Sequence, residues 1–230
     1  MAQNQNIRIA VDAVLFGYQK NELYVLLIQQ KFGTDTSFWA LPGGLVKEEE
    51  TLIEAVRREL KEETNVEVNY LEQLYTFGDD INRDSRNRVI SVAYFALVDA
   101  DKFSIKADTD AENVQWFRTD EIPQLAFDHN QILNKALERL KSKLTYQPIG
   151  FDLLPKEFLF SELENLYCTI LDKEIDRRNF RKKILSYGIV DETDKISASK
   201  SGRPAKLFKF NKSKYNELES NGFHFEIKFA

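Results

Sequence analysis

The chain has 230 residues, 43% hydrophobic and 12% aromatic, enough apolar side chains for one large core or two small ones and too many for a disordered polymer. A single cysteine, Cys168, excludes an internal disulfide, and no stretch approaches the roughly 20 apolar residues that span a bilayer, so the expected address is cytoplasmic, without a membrane partner. The net charge of −5 is unevenly laid out: the first 150 residues hold 17 basic against 24 acidic groups, whereas residues 173–212 hold 12 against 5, a local excess that suits an anionic partner.

In chain order, IRIAVDAVLFGY (7–18) and ELYVLLIQQK (22–31) alternate apolar residues around a polar connection, which predicts a β-hairpin. FWALPGG (38–44) ends regular structure, and a Glu-rich helix is expected over 48–64. Strands follow at 71–77, 89–98 and 114–117, then an amphipathic helix over 129–144 that Asp128 can cap. Strands interleaved with helices give an α/β sandwich for residues 1–144.

The Pro- and Gly-bearing segment 145–155 reads as a linker to a second domain, 156–230. There SELE (161–164) has the spacing of a capping box. Leu163, Leu166, Tyr167 and Ile170 fall on one helical face, and Cys168 beside them reads as core. After a turn at 172–175, Asp176 can cap a second helix, RRNFRKKILSY, that Gly188 terminates. IVDETDKISAS and RPAKLFKFN then flank KSG as a hairpin, the order of a helix-turn-helix with a wing.

Seven glutamates crowd GLVKEEETLIEAVRRELKEETNV (44–66). On a helix, Ile53, Val56 and Leu60 share a narrow stripe facing a sheet, while Glu59, Glu62 and Glu63, at i, i+3 and i+4, lie side by side along its flank. Like charges at that spacing weaken a helix, so their clustering beside a buried face points to a compensating cation. Carboxylates with waters and substrate phosphates suit Mg²⁺ or Mn²⁺. The bland alternative is a solvated face, the reading kept for Glu48, Glu49 and Glu54.

The stretch resembles the Nudix box: Gly44, Glu50, Arg58, Glu59, Leu60, Glu62, Glu63 and Val66 match at their proper spacing, and Asn65 stands where the family has Gly. Asn is the usual second choice for a left-handed helix end, so little is expected to change. The resemblance, with FWALPGG before the box, covers roughly residues 7–140. It implies a Nudix α/β/α sandwich with Glu59, Glu62 and Glu63 on the metal, Glu50 supporting the loop, Arg58 orienting a ligating glutamate, and hydrolysis of a nucleoside diphosphate derivative. FGDDINRDSRNR (77–88) is similar to a stretch of ADP-ribose-type Nudix proteins, with one residue more between Asp79 and the first arginine; Arg83 and Arg86 would then fork onto phosphate or ribose oxygens.

The helix after Asp176 presents Arg177, Arg178, Arg181 and Lys182 away from Phe180 and Ile184. In the second position of a helix-turn-helix it would enter the DNA major groove, Asn179 and the arginines reading base edges. Lys182, and Lys200, Arg203 and Lys206 around the wing, would sit on phosphates. DRRNFR and SGRPAKLF, with LLPKEFLFSELENLY before them, look like the C-terminal winged helix of the Nudix-related transcriptional regulators, the NrtR family with its sugar-responsive AraR-type relatives. The resemblance implies a homodimeric repressor of a double-stranded DNA operator, with ADP-ribose or a sugar as effector in the Nudix domain. The rival expectation is a working Mg-dependent hydrolase of ADP-ribose or a related nucleotide sugar.

Overall fold

The structure, a computed structural model, describes residues 6–31, 37–98, 114–197, 204–222 and 225–230. The chain divides into two compact units, the change falling at Arg139 and Leu140. No helix among the described residues is long and apolar enough to cross a membrane.

The first unit contains most of β1 (Ile7–Gln19) and β2 (Glu22–Gln30), whose connecting turn Tyr18–Glu22 groups with the second unit, then β3 (Phe38–Ala40), β4 (Gly43–Leu45), α1 (Leu52–Thr64), β5 (Tyr70–Phe77), β6 (Arg88–Leu97), β7 (Val114–Arg118) and the start of α2 (His129–Tyr146). The sheet runs β3-β2-β1-β6-β5, with β4 added to β1 and β7 to β2; β1 and β6 are parallel, so the sheet is mixed. Lys20 and Asn21 both take left-handed backbone angles, the two-residue turn that closes a hairpin with the right twist. Alternation along the strands splits the core. Val11, Ala13 and Leu15 pack with Ala55, Val56 and Leu60 of α1, while Val14, Phe16 and Phe95 are buried on the other face, where α2 begins against Asp12.

Two helix starts differ from the sequence expectation. Helix α1 begins at Leu52 rather than 48, because Thr51 and Glu54 form a capping box: Glu54 N donates to Thr51 Oγ1 and Thr51 N to the Glu54 carboxylate. Glu54 is therefore a cap and not simply solvated. The buried stripe is Ala55, Val56, Leu60 and Thr64; Ile53 is 41% exposed. Asn65 closes the helix in the left-handed region, its N–H reaching Lys61 O at 3.2 Å, as its role in place of Gly requires. The Asp128 carboxylate, expected to cap α2, is instead held by Arg83.

The second unit holds the end of α2, a 3₁₀ turn (Phe151–Leu153), β8 (Phe158–Leu159), α3 (Phe160–Leu171), α4 (Arg177–Tyr187), β9 (Val190–Ile196), β10 (Lys206–Phe210) and α5 (Lys212–Asn221). Ile149, Phe151, Leu153 and Leu154 are buried, so apolar side chains of 145–155 join this unit's core. The α3 face is buried as expected, with Tyr167 fully enclosed and its hydroxyl donating to Ile149 O; Cys168 is half-buried. Helix α3 starts two residues earlier than SELE suggests. Leu159 N donates to the Glu162 carboxylate at 2.7 Å, while Glu164, expected to be part of the cap, is buried against Arg177.

The second helix behaves as its sequence indicates: Asp176 accepts from Asn179 N, and Gly188 ends α4 at φ +66°. Antiparallel β9 and β10 form the wing, with β8 as a third strand; KSG lies outside the described residues. Helix α5 and the tail 225–230 are additions the sequence reading did not see. The tail pairs with the turn before α4, Ile175 opposite Phe229, and buries Phe225 and Ile227.

Candidate functional site

In the first unit, a cleft of about 250 Å³ opens between Ala10 and Asp12 of β1, the Leu41–Leu45 stretch, the Arg83–Arg86 loop and Phe127–His129. The Nudix-box helix borders it through the two glycines of β4. Glu63 accepts from Gly43 N at 2.8 Å and from the Gln30 side chain, and Gly44 lies so close to Glu59 that an added Cβ would sit 2.3 Å from its Oε1. A side chain at 44 would thus have to displace the Glu59 carboxylate.

Arg58 ties the acidic residues together. It donates to both oxygens of Glu50 (2.9 and 2.6 Å), to Glu59 at 2.6 Å, to Glu62 at 3.3 Å and to Leu45 O at 3.1 Å. The guanidinium holds the Glu50 carboxyl down at about 2. Glu63 moves the other way: burial, with Glu59 and Asp12 nearby, pushes it up to about 7 despite its hydrogen bonds. Among the described residues no three acidic, His or Cys side chains converge closely enough to hold a metal ion. Two features of the geometry bear on this: Glu59 is drawn to Arg58, and the Glu62 side chain is 57% exposed. The donor chemistry still fits a hard divalent cation: three carboxylates lie on one helix flank, and the one that burial and its acidic neighbours push up to about 7, Glu63, would give up its proton to a bound cation.

Arg83 and Arg86 both line the cleft, but differently. The Arg83 guanidinium is buried and gives Nε and Nη2 to Asp128 (2.9 and 2.6 Å), with Asp12 at 3.6 Å, so it is not an open fork for phosphate. Arg86 is half-exposed, paired with Asp84 at 2.8 Å and set 5.1 Å above the Phe127 ring. His129 accepts from Leu41 N at 3.0 Å through Nδ1, which leaves its proton on Nε2, facing Asp12 Oδ1 at 3.5 Å. Burial lowers its pKa and keeps it neutral. Ser91 donates to the second Asp12 oxygen. Sequence reasoning missed Asp12, Ser91, Asp128 and His129 as a group. The one local signal was an aspartate inside the apolar run IAVDAVLF, a place that demands buried partners.

In the second unit the basic face of α4 is only partly open. Arg177 turns back to Glu164 (3.4 Å) and Asn165 (3.1 Å) on α3, and Arg181 lies 4.4 Å over the Phe160 ring and 5.5 Å over Phe208. Asn179 spends its amide on the Asp176 cap. Arg178 and Lys182 are exposed on the helix surface. Lys206 pairs with Glu192 at 3.3 Å, and Lys200 and Arg203 lie outside the described residues. Arg177, Asn179 and Arg181 hold the helix in place.

Comparison with known proteins matches both units. The NUDIX domain model fits residues 6–140 and the NrtR DNA-binding winged helix domain model residues 150–210. The chain is 33% identical over 212 residues to the ADPR responsive transcriptional repressor NtrR of Acinetobacter baylyi, covering 90% of this chain and 84% of that one. It is 37% identical over 127 residues to an ADP-ribose pyrophosphatase of Methanocaldococcus jannaschii, covering 54% and 70%. The crystal structure of Shewanella oneidensis NrtR complexed with a 27mer DNA aligns with a TM-score of 0.82 at 32% identity, covering 95% of this chain and 98% of that one. Fold and surfaces define a Nudix domain joined to a DNA-binding winged helix. The chain belongs to the NrtR family of transcriptional repressors.

Proposed function

We propose that the protein is a cytoplasmic, homodimeric repressor that binds a double-stranded operator through α4 and the wing, and whose Nudix cleft takes ADP-ribose as effector. What carries the reading is the pairing, in one chain, of a polar cleft beside a complete Nudix box with a capped helix that leaves Arg178 and Lys182 outward. The similarity to an ADPR responsive repressor over 90% of the chain supports it. Two copies would place two recognition helices about one helical turn of DNA apart, with each wing on flanking phosphates. Ligand in the cleft changes operator affinity only if it binds one geometry of the protein better than another.

In this reading Arg86 meets the phosphates, and Arg83 joins it only on leaving Asp128. Glu59, Glu62 and Glu63 would hold Mg²⁺ or Mn²⁺, which when bound neutralises diphosphate charge and lowers the pKa of a bound water. Arg58 and Glu50 orient the glutamate pair, and Gly43 N anchors Glu63.

A second reading, slow hydrolysis of ADP-ribose or a related nucleotide sugar, is favoured by the box itself: every charged position is present, and Arg58 gathers three of its glutamates. An electrophoretic titration on the DNA upstream of the protein's own gene tests the function directly. Retarded DNA that ADP-ribose releases, and pentoses do not, is the expected result; release by a pentose alone would assign the effector to the sugar class, and no retardation at any protein concentration would overturn the reading.

A further inference from the structure

Three consecutive residues, Phe127, Asp128 and His129, connect the cleft to the first turn of α2. Phe127 is a bulky side chain at φ +54°, a left-handed backbone that such residues adopt only where their surroundings impose it. Its ring is held between Arg86 (5.1 Å) and His129 (5.4 Å). His129 is fixed by Leu41 N and Asp12. Asp128 stands at the entry of α2, where its main-chain carbonyl receives Gln131 N at 2.8 Å and Ile132 N at 3.3 Å. That is the place of an N-cap, yet its carboxylate is turned away to Arg83.

The charges around Arg83 explain why the arrangement is poised. One guanidinium already faces two carboxylates, Asp12 and Asp128, and neutral His129 adds no positive charge. A phosphate brought to Arg83 adds a third anion to that guanidinium, while the nearby Arg86 is already paired with Asp84. Like-charge repulsion there expels the least anchored of the three anions. Asp12 is a central-strand residue pinned by Ser91 and faced by His129. Asp128 follows a strained residue, and its carboxylate has a capping donor within exchange distance: Gln131 N, which now meets the Asp128 main-chain carbonyl.

We propose that the Arg83–Asp128 ion pair is a latch that a phosphate-bearing ligand opens by taking Arg83, releasing Asp128 to cap α2. Helix α2 runs from His129 to Tyr146, past the division at Arg139 and Leu140, so the latch acts on the first turn of an element whose residues belong to both units. This rests on the effector reading above and supplies its coupling residue.

The test uses two full-length variants that separate latch from cap. Asp128→Asn breaks the charge pair but keeps a good capping residue; Asp128→Glu keeps the charge pair but removes the preferred cap. Calorimetry with ADP-ribose and operator titrations with and without it are measured for each. Asp128→Asn is expected to bind ADP-ribose more tightly and the ligand-free operator more weakly, each by roughly tenfold, within the range usual for coupled sites. Asp128→Glu is expected to hold the operator as the wild type does and to lose most of the ADP-ribose response. Operator binding that weakens in Asp128→Asn and not in Asp128→Glu is what a purely structural role would not give. Both variants weakening the operator alike, or both matching the wild type, would overturn the latch while leaving the effector reading intact. A wild type that binds no ADP-ribose would overturn that reading and the latch with it.

Discussion

Glu63 carries the residue-scale consequence of crowding acids beside a buried face. Its carboxyl is pushed from the usual 4.5 to about 7, so the folded chain binds a proton there more readily than the unfolded chain does. This contribution to stability is full below about pH 4.5 and is lost as pH rises through 7. Glu63→Gln should therefore match the wild type in melting temperature at pH 4.5 and exceed it at pH 8, with added Mg²⁺ at pH 8 narrowing the gap by stabilising only the wild type. A difference that stays flat across this range would remove the buried-acid account. Gly44 gives a second residue-scale expectation. In Gly44→Ala the new methyl meets the mobile end of Glu59, so the protein should fold while its Mn²⁺ affinity falls. On α4, Arg178→Ala and Lys182→Ala should each lower the salt slope of DNA binding by about one. Arg181→Ala should also lower the melting temperature of the second unit, because that guanidinium lies on Phe160 and Phe208.

At the scale of elements, the sequence spoke most clearly where one side chain can satisfy one local demand. Asp176 and Gly188 bracket α4 as their chemistry requires, and Asn65 closes α1 in the left-handed region. It spoke ambiguously where two residues could serve the same end. Thr51 with Glu54 won the start of α1 over a start at 48, and Leu159 with Glu162 won the start of α3 over Ser161 with Glu164. Glu164 was lost to the cap because Arg177, from the next helix, holds it in a buried place. Asp128 was lost because Arg83, 45 residues away in sequence, takes its carboxylate. Such long-range pairs leave no periodicity to read. Thr51→Ala should cost about 1 kcal/mol in urea unfolding, a cap's typical worth; no loss would mean that the first turn of α1 is held by packing alone.

At the scale of the molecule, box and basic helix were both legible because each repeats a fixed spacing of charges on a helix. The polar network under the cleft was not, because it assembles Asp12, Arg83, Ser91 and the pair Asp128 and His129 from four separate places. Helix α5 and the tail were also hidden. Their residues show no strong apolar stripe, and Phe225 and Ile227 gain their burial only against the helix-turn-helix. The account as a whole stands on linkage between a nucleotide cleft and a DNA surface, and linkage is reciprocal. The most direct measurement is the affinity of the full-length protein for ADP-ribose, by calorimetry, free and saturated with the DNA upstream of its own gene. A repressor of this design should bind ADP-ribose roughly tenfold or more weakly on DNA than off it. Equal affinities in the two states would contradict the claim that the cleft controls the winged helix.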